Sequence, residues 1–122
     1  VGKIRARPLD KKKHPPLESV EDKKCEELWT LAGFTVISFS QPQKSLQTRG
    51  IADQLVMDNR SPTWFWFEVK RMTGPEYYAR KHNQTPDQLW FQKRVETQGH
   101  RYELGSRQRV QEILIEMGRV IP

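Results

Sequence analysis

The run Thr63-Trp64-Phe65-Trp66-Phe67-Glu68-Val69-Lys70 constrains this chain more than any other stretch. Successive side chains of a β-strand point to opposite faces. A strand that is apolar at both alternations must therefore be covered on both sides, which calls for a layered α/β arrangement rather than a one-faced sheet. Trp64 and Trp66 read as core residues of that covered strand. The run then ends on two charges one residue apart, so Glu68 and Lys70 share a face while Val69 turns away. Charge inside a covered strand is costly unless something meets it.

Other elements arrange themselves around this strand. Residues 51–57 form a second strand, and Asp58-Asn59-Arg60-Ser61-Pro62 has the composition of a turn, so strands 51–57 and 63–70 pair as an antiparallel hairpin. Residues 34–39 form a shorter strand bounded by a polar loop. Upstream, residues 17–32 place Val20, Cys25, Leu28 and Leu31 at roughly helical spacing, with prolines before, acids in the first turns and Gly33 after. Thr85 is an N-cap with Pro86 at the first helical position and Gly99 beyond the last turn. Residues 100–104 are a short strand, and Ser106 caps a final helix whose Val110, Ile113, Leu114 and Met117 form one stripe before Gly118. The expected order is αβββαβα, a mixed four-stranded sheet flanked by helices, and 122 residues suit one such domain.

The charge is unevenly spread. The chain has 21 Lys and Arg against 15 Asp and Glu, a net +6, yet residues 1–16 alone hold Lys3, Arg5, Arg7, Lys11, Lys12 and Lys13 against Asp10. With Pro8, Pro15 and Pro16 this segment reads as a basic, flexible arm, and residues 17–122 as the nearly neutral domain proper. No apolar run is long enough to cross a bilayer and no secretory leader opens the chain, so no membrane partner and an intracellular setting are expected: cytoplasmic in a bacterial or phage-infected host, nuclear in a eukaryote. Cys25 is the lone cysteine, and His14, His82 and His100 are scattered, which leaves no zinc spacing. A metal here would sit on oxygen.

Asp53, Glu68 and Lys70 stand out as charged residues placed within strands. If Asp53 faces the side that Glu68 and Lys70 share, two carboxylates and an ammonium converge. With the main-chain carbonyl of Val69 they offer hard oxygen ligands that suit Mg²⁺ or Mn²⁺ with waters still attached. Such an ion polarises a phosphodiester and activates a bound water, and Lys70 would position or deprotonate that water and offset charge on the phosphate. The competing reading is an ordinary ion pair of Glu68 with Lys70 at a strand end, in a structural or protein-interaction domain without metal.

The wider pattern favours the first. Gly50-Ile51-Ala52-Asp53, then Glu68-Val69-Lys70 fifteen residues after the aspartate, then Thr85-Pro86-Asp87-Gln88, behind an N-terminal helix, resembles the VRR-NUC family of PD-(D/E)XK nucleases over about residues 17–117. The resemblance implies a restriction-endonuclease-like core and an Mg²⁺- or Mn²⁺-dependent endonuclease. It implies Asp53 and Glu68 as metal ligands, Lys70 as the catalytic lysine and Gln88 as an active-site residue. It also implies action on branched or Holliday-junction DNA in repair, and a homodimer. Ala52 departs from the proline common before the aspartate, a position that supplies no ligand. A catalytically silent nucleic-acid-binding module of a larger repair or replication assembly is the alternative, against which the joint presence of Asp53, Glu68 and Lys70 argues.

Two assignments stay open within this reading. Thr85-x-x-Gln88 also fits a capping box, which would spend the Gln88 side chain on the helix start. The acid that the family often carries on its first helix is Glu21 by helical spacing, since Glu21 continues the stripe of Cys25, Leu28 and Ala32, with Glu18 second; either could instead simply complement the helix dipole. DNA contacts are expected from Lys44 and Arg49 before Asp53 and from Arg71, Tyr77, Arg80 and Lys81 after Lys70, with cations on phosphates and tyrosine on an exposed base.

Overall fold

The computed structural model describes residues 18–39, 49–71 and 84–120. Helix α1 is Glu18–Leu31, strands β1, β2 and β3 are Phe34–Ser38, Gln54–Asp58 and Trp64–Val69, helix α2 is Pro86–Thr97, strand β4 is Tyr102–Gly105 and helix α3 is Arg107–Glu116. The order αβββαβα is the expected one. The strands lie side by side as β1-β2-β3-β4, with the first two pairings antiparallel and β3 parallel to β4. A parallel neighbour needs a crossover, and α2 lies in the connection between β3 and β4.

That topology covers β3 on both faces, as its composition requires. Phe65, Phe67 and Val69 face Cys25 and Trp29 of α1 and Val110, Ile113 and Leu114 of α3. Trp66, on the other face, packs with Phe91 and Val95 of α2, Tyr102 and Ala52. Trp29 is the centre of the first layer: its ring meets Phe34, Phe65 and Phe67 edge-on at 5.5, 5.3 and 5.5 Å. Edge-to-face packing of this kind adds to the area each ring removes from water.

The hairpin turn is built by Asp58. Its carboxylate accepts the Arg60 N–H at 3.0 Å and the Ser61 hydroxyl at 2.6 Å, and it also pairs with Arg119 beyond α3. Burial works against the charge, but these donors together hold the Asp58 carboxyl below its ordinary range. The loop tip and the chain's last described turn are thereby tied together.

Three expectations are corrected. The inward stripe of α1 is Glu21, Asp22, Cys25 and Trp29, while Val20 and Leu31, read as core residues, are exposed, Leu31 at 71%. Helical rotation explains it, because Val20 and Leu31 lie more than a quarter turn from the Cys25–Trp29 direction. Trp64 is also partly exposed, at the open start of β3, where it stacks with His100 at 4.7 Å. Finally, β2 begins at Gln54, so Asp53 stands in a bend just before the strand. Among the described residues no helix is long and apolar enough to cross a membrane.

Candidate active site

The end of β3 carries the chemistry because strand alternation puts Val69 into the α1–α3 core and leaves Glu68 and Lys70 on the α2 side. Both charged residues are buried. Lys70 Nζ lies 2.5 Å from Glu68 Oε2, an ion pair well inside the protein. Glu68 Oε1 accepts the Tyr102 hydroxyl and, at 3.0 Å, the amide of Gln84. Glu68 Oε2 has no aligned hydrogen-bond donor among the described residues and is met by the Lys70 charge instead. One carboxylate oxygen is thus anchored by neutral donors, and the other faces only a cation.

Asp53 reaches the same place from the bend just before β2. Its Oδ2 accepts the main-chain N–H of Val69 at 2.7 Å, so its carboxylate is held against the residue next to Glu68. What locates Asp53 is the residue after it: the buried Gln54 donates its amide to the Asp22 carbonyl at 3.0 Å and to Asp22 Oδ1 at 2.6 Å, tying the start of β2 to α1. Burial raises the Asp53 carboxyl to about 6 against an opposing contribution from the Val69 N–H, and the negative charges of Glu18, Asp22 and Glu68 add to the rise. Glu18 is raised as well, by burial first and by Glu68 and Asp22, while Lys70 and Arg71 oppose the shift. The first turn of α1 therefore shares this acidic neighbourhood through Glu18.

Glu21, the acid ranked first from spacing, does point inward but is committed elsewhere. One oxygen accepts the Arg107 main-chain N–H at 2.6 Å, and the Arg107 guanidinium bonds both oxygens, with Nη2 at 2.9 Å from Oε1 and Nε at 3.1 Å from Oε2. Arg107 opens α3, where the first N–H groups have no partner inside the helix, so Glu21 joins α1 to α3 by capping it. Glu18, one turn earlier on the helix, is the first-helix acid whose charge couples to both Asp53 and Glu68.

Gln88 makes the helix cap and also reaches Lys70. Its Oε1 accepts the Thr85 N–H at 2.9 Å while Thr85 Oγ1 accepts the Gln88 N–H at 3.1 Å, a complete capping box. The same Oε1 accepts from Lys70 Nζ at 3.3 Å. The cap fixes the side chain's direction, and that direction is toward the lysine. Gly50 explains the close approach of α2: its φ is +78°, and a Cβ there would stand 2.2 Å from the Asp87 carbonyl oxygen. Only glycine lets the segment leading into Asp53 pass beneath the helix start.

Arg49 is exposed and pairs with Asp87 at 3.5 Å; Arg71 follows Lys70 and is exposed. Lys44, Tyr77, Arg80 and Lys81 lie outside the described residues. Tyr102 and Gln84 were not legible from the sequence as partners of Glu68. A tyrosine in a strand expected to be buried needs a partner for its hydroxyl, and that was the available signal; the parallel β3–β4 register was the missing fact. Burial and the Glu68 charge both push the Tyr102 hydroxyl up, so it remains a donor.

Among the described residues no three of His, Cys, Asp and Glu converge to enclose a metal by themselves. Two carboxylates and a carbonyl suit an ion that keeps most of its waters, and Glu68 Oε2, which has no aligned donor, beside a carboxyl that burial and neighbouring acids make hard to ionise would accommodate a cation.

No family model matches the sequence, and no curated protein matches it. A solved structure described as "VRR_NUC domain" is similar over 81% of this chain and 94% of its own length, with 27% identity and a TM-score of 0.56. The resemblance carried by Gly50, Asp53, Glu68, Lys70 and the Thr85–Gln88 helix start is thereby borne out, and the chain has the mixed-sheet fold of a VRR_NUC, nuclease-like domain.

Proposed function

We propose that this domain is an endonuclease that hydrolyses DNA phosphodiester bonds with Mg²⁺ or Mn²⁺, preferring branched or junction DNA and acting as a homodimer in an intracellular setting. The carrying observation is the convergence of Asp53, through the Val69 N–H, with the Glu68–Lys70–Gln88 chain of contacts. Asp53, Glu68 Oε2 and the Val69 carbonyl would hold the cation, with Glu18 rather than Glu21 as the first-helix acid near it. When bound, the ion would lower the pKa of a coordinated water and polarise the phosphate.

The remaining work falls to the chain's own groups. An ammonium has three N–H donors. Lys70 Nζ sits against the Glu68 Oε2 charge and donates to Gln88 Oε1, which would fix the nitrogen and leave an N–H for the attacking water or a phosphate oxygen. A fixed ammonium beside the scissile phosphate stabilises the extra negative charge of the pentavalent state without reorganisation. Tyr102 and Gln84 orient Glu68 by holding Oε1, so that Oε2 faces the site.

A second reading has one observation in its favour: Glu68 and Lys70 are close enough to be a self-sufficient buried ion pair, as in a silent DNA-binding module. Cleavage assays separate the two. Purified protein incubated with branched and linear DNA, with Mg²⁺ or Mn²⁺ and with chelator, is expected to cut only with metal. Asp53→Asn and Lys70→Ala should each lower the single-turnover rate by about a hundredfold or more. Cutting that persists in both variants rejects the site, and gel retardation without cutting in any metal supports the silent module.

A further inference from the structure

Helix α2 has two unlike sides. Gln88 turns to Lys70, and Phe91 and Val95 pack on the sheet, whereas Trp90 on the outer side is 55% exposed. Tryptophan is enriched at interfaces, where its ring buries a large apolar area while its N–H meets a polar partner. Asp87, Trp90 and Arg94 recur at helical spacing and form one stripe along that outer side. Arg49 pairs with Asp87 at the head of the stripe, and the next residue, Gly50, lies against the backbone of Asp87 and Gln88. The head of the stripe therefore lies against Arg49 and Gly50, four and three residues before Asp53.

Its cations, like Lys23 and Arg60 elsewhere, have no carboxylate partner among the described residues, unlike most of the arginines. Arg101, Arg107, Arg109 and Arg119 are each matched to a carboxylate. Arg94, and Lys93 on the adjoining row, make no ion pair among the described residues. Of the acids of α2, Asp87 is paired with Arg49, and Glu96, which accepts from Gln92 at 3.2 Å, makes no ion pair with either cation. Trp90 and Arg94 are four residues apart, a rise of about 6 Å, so a base on the indole and an adjacent phosphate on the guanidinium are within one nucleotide's reach. An exposed ring with unmatched cations beside it is the chemistry that grips an unpaired strand, since every base has a face to stack and every phosphate a charge to neutralise. A duplex offers the phosphates but no free base face.

We propose that the outer stripe of α2 binds an unpaired nucleic-acid strand, with Trp90 stacked on a base and Lys93 and Arg94 on the flanking phosphates. This deepens the nuclease reading on which it rests: the strand held here is the single-stranded arm of a substrate whose scissile phosphate lies at Asp53 and Glu68.

The test uses the full chain in chelator, so that no cleavage interferes, titrated with a short oligo-dT and with a duplex of equal length. The single strand is expected to quench tryptophan fluorescence and to bind more tightly than the duplex. Trp90→Ala should weaken oligo-dT binding about tenfold or more and remove most of the quenching, and Trp90→Phe should restore much of the affinity. Replacing Lys93 and Arg94 by Ala should flatten the log–log salt dependence by roughly 1.4, two phosphates' share on a single strand. Trp90 is exposed, so thermal melts of these variants should match the parent. Oligo-dT affinity and quenching unchanged in Trp90→Ala would overturn the proposal. So would a protein dimer, formed without DNA, that Trp90→Ala dissolves, because the stripe would then be a self-contact. Trp90-dependent binding with no cleavage in Mn²⁺ would remove the nuclease reading alone, and cleavage indifferent to Trp90 would remove this proposal alone.

Discussion

Glu21 and Glu68 are both buried, both acidic and both paired with a cation, yet they are built differently. Glu21 is saturated: a guanidinium and a main-chain N–H occupy its two oxygens, and every contact serves to clamp α1 to α3. Glu68 is held on one oxygen by Tyr102 and Gln84 and left on the other with a point charge and no aligned donor, in a neighbourhood that also contains Asp53, Asp22 and Glu18. A structural acid in this protein is matched donor for acceptor. The acids at the end of β3 exceed their cations, which is the condition that a divalent ion relieves.

Breaking the matched pair should have the largest effect on stability. Arg107→Ala would leave the Glu21 carboxylate buried without its guanidinium and should destabilise the fold by about 2–3 kcal/mol, discounted from the cost of a fully buried pair because the Arg107 side chain is partly exposed. Denaturant midpoints measure this, and Mn²⁺ binding by the folded fraction should be retained. A loss of metal binding with unchanged midpoint would reverse the roles given to the two acids.

The unmatched site should behave in the opposite sense. Asp53 has a folded pKa of about 6, above its ordinary 3.8, so the neutral form is favoured by the fold. The stability it contributes is fully present below about pH 3.8 and is lost as pH rises through about 6. In chelator at pH 7, Asp53→Asn should therefore be more stable than the parent by about 1–2 kcal/mol, with the two curves converging below pH 4. Its Oδ1 can still accept the Val69 N–H. Mn²⁺ should restore the parent and leave the variant unchanged. Parallel stability–pH curves in chelator would show that the site carries no excess charge.

The smallest expected change sharpens the contrast between the two oxygens of Glu68. Tyr102→Phe removes the donor to Oε1 without altering the strand, and should weaken Mn²⁺ binding about tenfold while leaving Lys70 paired. Isothermal titration at constant pH reads this. An unchanged affinity would mean that Gln84 alone sets the carboxylate.

Much of this arrangement was legible in the residues. The apolar run of β3 required a covered strand, period-two alternation put Glu68 beside Lys70, and Thr85-Pro86 with Gly99 bounded α2 to within a residue or two. Val110, Ile113 and Leu114 packed as their spacing indicated. Misreadings came where a local pattern had two solutions. On α1, the aliphatic residues Val20 and Leu31 suggested one stripe, whereas the aromatic Trp29 captured the core on another. Glu21 pointed inward as spacing demanded, but inward led to Arg107, 86 positions away in the chain. For Gln88 the cap did not exclude the contact with Lys70, because one oxygen accepts from both donors.

By itself, then, the order of residues determined which segments are helix and strand and which face of β3 carries charge, since those follow from periods of 3.6 and 2 that neighbours along the chain enforce. Only the folded arrangement decided what each charge meets. The parallel seat of β4 brought Tyr102 to Glu68, the Gln54–Asp22 bonds set where the bend at Asp53 enters β2, and the cap on α3 claimed Glu21. The reason is physical: a buried charge takes its partner from whatever the layers bring within about 3 Å, and that distance has no counterpart in sequence separation.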